Sequence, residues 1–162
     1  MAEDLIITNT SKEENYASLF PQLKALCDGE ENFIANLANI AAGLKEAFGF
    51  FWVGFYLKDS EDELVLGPFQ GPVACTRIRK GKGVCGGSWE RNEVLLVPNV
   101  EEFPGHIACS SLSKSEIVVP IRNKDEVIGV LDVDSDKLND FDSIDQQHLT
   151  ALCAWIGTLV KS

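Results

Sequence analysis

The spacing of the apolar residues changes at Phe50, and this change constrains the fold more than any other feature of the sequence. Before Phe50, apolar residues recur every three or four positions, which is the period of an amphipathic helix. After it come six short runs rich in β-branched or aromatic residues: FFWVGFYL, ELVLGPF, VACTRI, EVLLVP, EIVVPI and EVIGVLDVD. Runs of this kind, separated by turn residues, predict β-strands.

Two helices are predicted before the strands. The first covers residues 11–28, and the sequence SKEE at its start is a capping-box signature. We expect Pro21 to bend or divide this helix, because proline lacks the N–H that a helix interior requires. The second covers residues 31–48 and ends at Gly49, which suits the left-handed residue that closes many helices.

A last helix is predicted over residues 143–160, with Ser143 as its N-terminal cap. The glycine-rich insertion between the third and fourth strands has room for one or two helical turns. This order of elements predicts an α+β fold, in which one mainly antiparallel sheet of about six strands carries the N-terminal and C-terminal helices on one face.

The sequence contains no internal repeat, low-complexity tract or linker. We therefore expect a single domain over residues 1–162. Its parts are the N-terminal helices (1–49), the sheet with its pocket loops (50–142) and the C-terminal helix (143–162).

The formal net charge of −11 excludes some classes of partner. An acidic surface repels phosphate backbones and anionic lipid, because nucleic-acid affinity rests on cationic side chains. We expect neither nucleic acid nor a membrane as a partner. The start MAEDLIITNT has neither the basic nor the apolar part of a secretory signal. The expected location is therefore cytoplasmic.

Five cysteines make an odd count, which a fully paired secreted framework would not have. None lies in a CxxC pair, so a structural zinc site is not expected. Cys27 and Cys153 fall at apolar helix positions and are predicted to be core residues. The pattern GKGVCG matches the dinucleotide signature GxGxxG but interrupts an antiparallel sheet rather than opening a βαβ unit, so no dinucleotide is expected.

The other three cysteines are candidates for chemistry. Cys75 lies in the strand-like run VACTRI, Cys85 in the glycine-rich GVCGG, and Cys109 in a loop, where reactive groups concentrate. The basic residues of TRIRKGK, close to the first two, favour the thiolate form. The residues alone leave open whether Cys109 is a reactive thiol or a plain loop cysteine.

The last two predicted strands bring carboxylates together. A hairpin centred on Lys124 would place Glu116 opposite Asp132. Asp134 shares that face, because side chains alternate along a strand. Three carboxylates at this separation require a cation, a shared proton or a ligand between them. In the alternative interpretation, Asp134 ends a strand in a turn and Glu116 is solvated.

Three segments together resemble the free methionine-(R)-sulfoxide reductases, which are GAF-domain enzymes: GPFQGPVACTRIRKGKGVCG, VPNVEEFPGHIACSSLSKSEIVVPI and VIGVLDVDSDKLNDFD. The resemblance runs from about Phe51 to the C-terminus. It implies a GAF-like fold and an enzyme that reduces free methionine (R)-sulfoxide to methionine. It implies no bound cofactor and thioredoxin as the external reductant. It also allows a homodimer formed through the helices, as stand-alone GAF domains commonly make.

Carried over position by position, the resemblance makes Cys109 the nucleophile and Cys75 the resolving thiol, with Cys85 as an alternative redox partner. The implied reaction is attack of Cys109 on the sulfoxide sulfur, release of methionine, and capture of the resulting sulfenic acid as a disulfide.

Five further residues match the substrate pocket of that family. Glu116, Asp132 and Asp134 match its substrate-binding carboxylates, and Trp52 and Tyr56 match its aromatic wall. Among these carboxylates, we assign the substrate ammonium to Asp132. We assign the proton for the sulfoxide oxygen to Glu116 or Asp134, since clustering keeps at least one carboxyl protonated near neutrality.

A second class of function remains open at this point. Many GAF domains bind small molecules without turnover, and this chain could be a stand-alone small-molecule or redox sensor.

Overall fold

The computed structural model describes residues 4–107 and 109–161. The elements, in chain order, are α1 (Lys12–Cys27), α2 (Phe33–Phe48), β1 (Trp52–Lys58), β2 (Glu63–Gln70), β3 (Arg77–Arg79), α3 (Gly83–Arg91), β4 (Leu95–Val97), a 3₁₀ turn (Val100–Glu102), β5 (Ser115–Asn123), β6 (Glu126–Ser135) and α4 (Ser143–Gly157). This order confirms the predicted α+β class.

Within the described ranges, the six strands form one sheet in the order β3-β2-β1-β6-β5-β4, and every neighbouring pair is antiparallel. β6 pairs with β1 on one side and with β5 on the other. Side chains on β6 therefore have neighbours from both β1 and β5, so a cluster on β6 can draw on three strands.

The turn between β5 and β6 is shorter than predicted. Lys124 and Asp125 both have positive φ, at 52° and 68°, as a two-residue type I′ turn requires. Asn123 consequently pairs with Glu126, which displaces the pairing by one residue from a hairpin centred on Lys124.

A bulge near the end of β5 displaces the pairing by one further residue in the same direction. Glu116 therefore lies opposite Asp134, and the predicted pairing of Glu116 with Asp132 is wrong. The two displacements add to two residues, which is the period of side-chain alternation. The three carboxylates consequently remain on one face although the register differs.

The sheet is covered on both faces. One apolar layer joins α1, α2 and α4 to side chains such as Phe55, Ile117 and Leu131, so the predicted packing of the terminal helices on one face is confirmed. A second layer covers the opposite face, where α3 contributes Val84 and Trp89. The insertion thus forms a full helix that roofs the second face.

Two helix predictions are corrected by the structure. α1 runs through Pro21 without interruption, so the predicted division is wrong. Leu19 and Leu23, on either side of the proline, are 3% and 1% exposed, and their burial offsets the lost backbone hydrogen bond. α2 ends at Gly49, which is left-handed with φ 65°, as predicted.

The cap of α4 lies one residue before the predicted Ser143. The Asp142 side chain accepts hydrogen bonds from the N–H groups of Ile144 and Asp145. In return, the Asp145 carboxylate accepts from the N–H of Asp142 at 2.9 Å. This reciprocal capping box satisfies more orphan donors than a serine hydroxyl would. None of the described helices has the length and apolarity needed to cross a bilayer.

The third predicted strand is also shorter than VACTRI. β3 contains only Arg77–Arg79, so Cys75 lies in the segment before it rather than in a strand. Pro72 cannot donate a ladder hydrogen bond. Side chains from β1 satisfy the carbonyls of this segment instead, with Trp52 Nε1 donating to Pro72 O at 3.0 Å and Tyr56 Oη donating to Cys75 O at 2.9 Å.

A buried polar contact joins the first helix to the last. Asp145 is 1% exposed. It accepts hydrogen bonds from Tyr16 Oη at 2.6 Å and from Lys12 Nζ at 2.7 Å. Because a buried carboxylate without donors is expensive, this network ties α1 to α4.

We expect Tyr16→Phe to lower the free energy of unfolding by about 1–3 kcal/mol, because it leaves a buried carboxylate oxygen without its donor. Urea unfolding followed by circular dichroism measures this. The matched control is Glu13→Gln on the same helix, which removes a carboxylate that contacts His148 at 2.8 Å while 56% exposed and should cost less than about 1 kcal/mol. Equal losses in the two variants would contradict the importance of the buried contact.

Candidate active site

The candidate site is a pocket on the sheet face opposite α1, α2 and α4. Its floor is the sheet, its roof is the start of α3, and its outer wall is the loop before β5. The cavity measures about 40 Å³. Seven of the predicted site residues line it: Trp52, Tyr56, Cys85, Cys109, Glu116, Asp132 and Asp134.

The eighth predicted residue, Cys75, is bonded to the pocket wall. Cys75 and Cys109 form a disulfide that spans 34 positions in the sequence, with their Cα atoms 5.4 Å apart. Cys85 is a free thiol with 4% exposure. The structure thus joins Cys75, and not Cys85, to Cys109.

The carboxylates lie where the three central strands meet. Asp134 lies opposite Glu116 of β5 and opposite Trp52 of β1. Asp132 lies opposite Gly54 of β1. Glu116 and Asp132 are 7% and 5% exposed, so the interpretation in which Glu116 is solvated is wrong.

Burial and mutual repulsion keep this cluster partly protonated. The pKa of Glu116 lies well above its usual range, first because the carboxyl is buried and then because of the charges of Asp132 and Asp134. The pKa of Asp134 is also raised well above its usual range by burial and by Asp132, although hydrogen bonding to Glu116 and Ser113 opposes the shift. Burial thus favours the protonated form of Glu116 and of Asp134, and either carboxyl can donate a proton.

Two oxygens of the cluster lack a donor. Asp132 Oδ1 and Asp134 Oδ1 are shielded from solvent and accept no hydrogen bond from any residue in ranges 4–107 and 109–161. A buried acceptor without a partner costs about 1–3 kcal/mol. Both atoms border the pocket, so a ligand with donor groups or positive charge would remove that cost.

An aromatic wall stands beside the acids. Trp52 stacks on Tyr56 at 5.9 Å and on Phe69 at 5.2 Å between ring centroids. A Cβ on Gly54 would come within 2.3 Å of Phe69 Cβ, so this stack requires glycine at that position of β1. Because Trp52 and Tyr56 also hold the segment that carries Cys75, the wall positions both the pocket and the disulfide.

Cys85 lies in the first turn of α3, under the roof of the pocket. Its Sγ lies within 4.8 Å of a Glu116 oxygen and an Asp132 oxygen, so these three residues could hold a metal ion. Burial, followed by the charges of Asp132 and Glu116, raises the pKa of the Cys85 thiol well above its usual range.

The predicted thiolate character of Cys85 is therefore wrong, although Lys82 lines the same pocket. Two other basic residues near Cys85 in the sequence contact other groups. Arg77 pairs with Asp59 and Glu63 on the surface. Lys80 lies over the Trp89 ring, 5.0 Å from its centroid. Burial and the nearby acids therefore outweigh the local positive charge at Cys85.

The lining residues that were not predicted include Ser113 and His106, which are close to the acids. Ser113 faces Asp134, and His106 lines the pocket from the loop that carries Cys109. Burial lowers the pKa of His106 despite the opposing charge of Asp132, so the imidazole is neutral near pH 7. The position of His106, three residues before Cys109, was the one signal in the sequence that pointed to it.

Comparison with known proteins gives consistent matches over almost the whole chain. The GAF domain family model matches residues 32–160. Free methionine-R-sulfoxide reductase of Escherichia coli (strain K12) is 48% identical over 153 residues, which cover 94% of this chain and 92% of that protein. GAF domain-containing protein A of Dictyostelium discoideum is 66% identical over 152 residues, which cover 94% and 96%. The solved structure of free methionine-R-sulfoxide reductase from Neisseria meningitidis, in complex with its substrate, is 49% identical, with a TM-score of 0.95 over 98% of this chain and 95% of that chain.

The raised pKa of Glu116 predicts a pH-dependent stability. Its ordinary value is 4.5, so the contribution of the neutral side chain is fully present below that pH and is lost as the pH rises through the folded-state value. We expect the free energy of unfolding of Glu116→Gln to rise by about 1–3 kcal/mol relative to that of the native sequence as the pH increases from about 5 to about 8.

Urea unfolding across this pH range measures the difference. Glu93→Gln, at an exposed position, is the control. Its free energy of unfolding should depend on pH in the same way as that of the native sequence. A pH-independent difference for Glu116→Gln would show that the buried carboxyl does not resist ionisation.

Proposed function

The chain belongs to the GAF domain family, among its free methionine-R-sulfoxide reductases, and we propose that it reduces free L-methionine (R)-S-oxide to L-methionine. One observation carries this proposal. A disulfide-forming cysteine pair, Cys75 and Cys109, borders a pocket in which three carboxyls meet, and burial raises the pKa of Glu116 and of Asp134.

The proposed reaction begins with the reduced cysteines. Cys109 attacks the sulfoxide sulfur, and Glu116 or Asp134 protonates the sulfoxide oxygen, which weakens its bond to sulfur. The hydroxyl then moves to Cys109 Sγ as the bond between the two sulfurs breaks, so methionine leaves and Cys109 becomes a sulfenic acid. The thiol proton of Cys109 replaces the proton that the acid donated. The Cys75 thiol then attacks that sulfur, water leaves, and the disulfide forms. The sulfoxide gains two electrons and the two thiols lose them.

Substrate selection rests on the same cluster. Asp132 Oδ1 needs a donor, and the ammonium of a free amino acid supplies one together with a positive charge. A methionine sulfoxide inside a polypeptide has an amide at that position, so it lacks the charge. The Trp52 and Tyr56 wall holds the apolar end of the side chain.

The disulfide must be reduced from outside. Among the described cysteines, the three free thiols are all buried, so none of them is placed to supply electrons repeatedly. A thioredoxin-type dithiol is the proposed reductant, through thiol–disulfide exchange. This requirement favours a reducing compartment such as the cytoplasm. The cavity of about 40 Å³ in the disulfide form is far below the roughly 300–1,000 Å³ of typical ligand pockets. We therefore expect the site to enlarge when the disulfide opens.

Methionine formation from three sulfoxides tests the proposal. We expect turnover of the free R-epimer and none of the free S-epimer or of a peptide that contains methionine R-sulfoxide. Each assay uses dithiothreitol first and then thioredoxin with its reductase and NADPH, which separates the reaction from its reductant. Silence with all three sulfoxides, from folded and reduced protein, would overturn the reductase function and favour a sensor without turnover.

Single-turnover variants test the cysteine roles. Prereduced native protein should release about one methionine per chain and end with the Cys75–Cys109 disulfide, whereas Cys75→Ser should release about one methionine and end with a sulfenic acid that dimedone traps. Cys109→Ser should release none. Cys153→Ala removes another buried thiol and should behave as the native chain. A Cys85–Cys109 disulfide in Cys75→Ser would instead make Cys85 the resolving residue.

A further inference from the structure

We propose that the pocket floor binds one divalent cation of the zinc class, held by Cys85 Sγ and by carboxylate oxygens of Glu116 and Asp132. The three ligand atoms lie within 4.8 Å of one another. They come from α3, β5 and β6, at positions far apart in the sequence. The absence of a CxxC pair, which argued against a structural zinc site, therefore does not bear on this one.

The buried carboxylates of Glu116 and Asp132 favour the binding of a cation between them. Asp132 is 5% exposed, and its Oδ1 accepts no hydrogen bond within the described part of the chain. Glu116 is 7% exposed and shares the same small volume. Two acids that are this close and this buried repel each other unless a positive charge or a shared proton lies between them.

The thiol decides which cation fits. An ammonium group donates hydrogen bonds to carboxylates and gains little from a thiol. A zinc ion binds thiolate and carboxylate ligands together, in a tetrahedral site where a fourth position can hold water. Mg²⁺ and Ca²⁺ take six or more oxygen ligands instead. The mixture of one sulfur and two oxygens therefore selects a zinc-class ion, which displaces the thiol proton of Cys85 and the carboxyl proton of Glu116 when it binds.

The site is held in position before an ion arrives. A Cβ on Gly86 would come within 2.4 Å of Arg79 O, so α3 lies directly against the end of β3. At the other end of α3, Ser88 Oγ donates to Glu93 O at 2.7 Å. The acids are fixed by the strand ladder. Ligands on rigid elements need little rearrangement on binding.

Size and access also fit an ion. The cavity of about 40 Å³ exceeds the roughly 10–15 Å³ that one water needs, yet it is too small for an amino acid. The lining includes Val73 and Ile107, which are 88% and 39% exposed, so the cavity reaches the surface. The disulfide form can therefore admit a metal ion while it excludes the substrate.

A bound ion would block the reductase. Two of its three ligands are acids that the proposed function assigns to the substrate, so the ion and the substrate exclude each other. This consequence rests on the proposed function, whereas the metal site itself does not.

Cobalt is the probe for the test, because a thiolate ligand gives Co²⁺ a charge-transfer absorption. The protein is used in its Cys75–Cys109 disulfide form, in which those sulfurs cannot bind metal. We expect the absorption to saturate at about one Co²⁺ per chain, with Zn²⁺ displacing it and Mg²⁺ leaving it unchanged.

Three variants make the test specific. Cys85→Ser should abolish the absorption, and Asp132→Asn, which keeps the thiol, should weaken Co²⁺ binding at least about tenfold. Cys153→Ala is the matched control and should bind as the native chain. An absorption that persists in Cys85→Ser, or its absence from the native chain, would overturn the metal site.

The sulfoxide assay, run separately with a chelator, distinguishes the two proposals. Cobalt binding without sulfoxide reduction would support the metal site and refute the proposed function. Reduction without the cobalt signal would do the opposite.

Discussion

The pairing of β6 with both of its neighbours is the constraint on which the site depends. It places Asp134 between Trp52 and Glu116, and it places Asp132 opposite Gly54, which has no side chain. Like charges that approach through flexible loops would move apart. Here the carboxylates are held on strands, and the backbone hydrogen bonds of those strands would have to break before the side chains could separate. The sheet therefore keeps the acids together in the pocket despite their repulsion.

One face of the sheet contributes mainly to stability, and the other carries the candidate active site. The face under α1, α2 and α4 is apolar, and its buried carboxylate, Asp145, has donors from Tyr16 and Lys12. The opposite face holds the buried Glu116 and an Asp132 oxygen without a donor. Such groups lower stability unless a ligand compensates them. A folded protein can keep them because the other face supplies the burial and satisfied hydrogen bonds.

Much of this arrangement follows from the sequence, for identifiable reasons. Strand and helix periods depend on local apolar spacing, so the element order and the helices on one face were predictable. The shared face of Glu116 and Asp134 was predictable because alternation survives a shift of two residues. The register itself was not, because it depends on a positive-φ turn and a bulge whose energies differ little from those of alternatives.

Long-range contacts were the other limit of prediction. Cys75 lies before β3 and not within it, and hydrogen bonds from Trp52 and Tyr56 hold its segment in place. No local sequence pattern reveals these contacts. The state of the Cys85 thiol is set by burial and by acids from other strands, and these outweigh the basic residues beside it in the chain. Local charge is a poor guide to pKa wherever folding brings distant residues closer than sequence neighbours.

In the proposed reaction, the charge of the cluster also sets the order of events. Ionising Cys109 beside buried carboxylates costs electrostatic free energy. The substrate ammonium compensates Asp132, so its arrival lowers that cost when the sulfoxide is already in place. A sulfoxide within a polypeptide brings no such charge and therefore no activation. One electrostatic effect then selects the free amino acid and keeps the nucleophile inactive until the substrate binds. This effect requires the carboxylates that the sheet holds together.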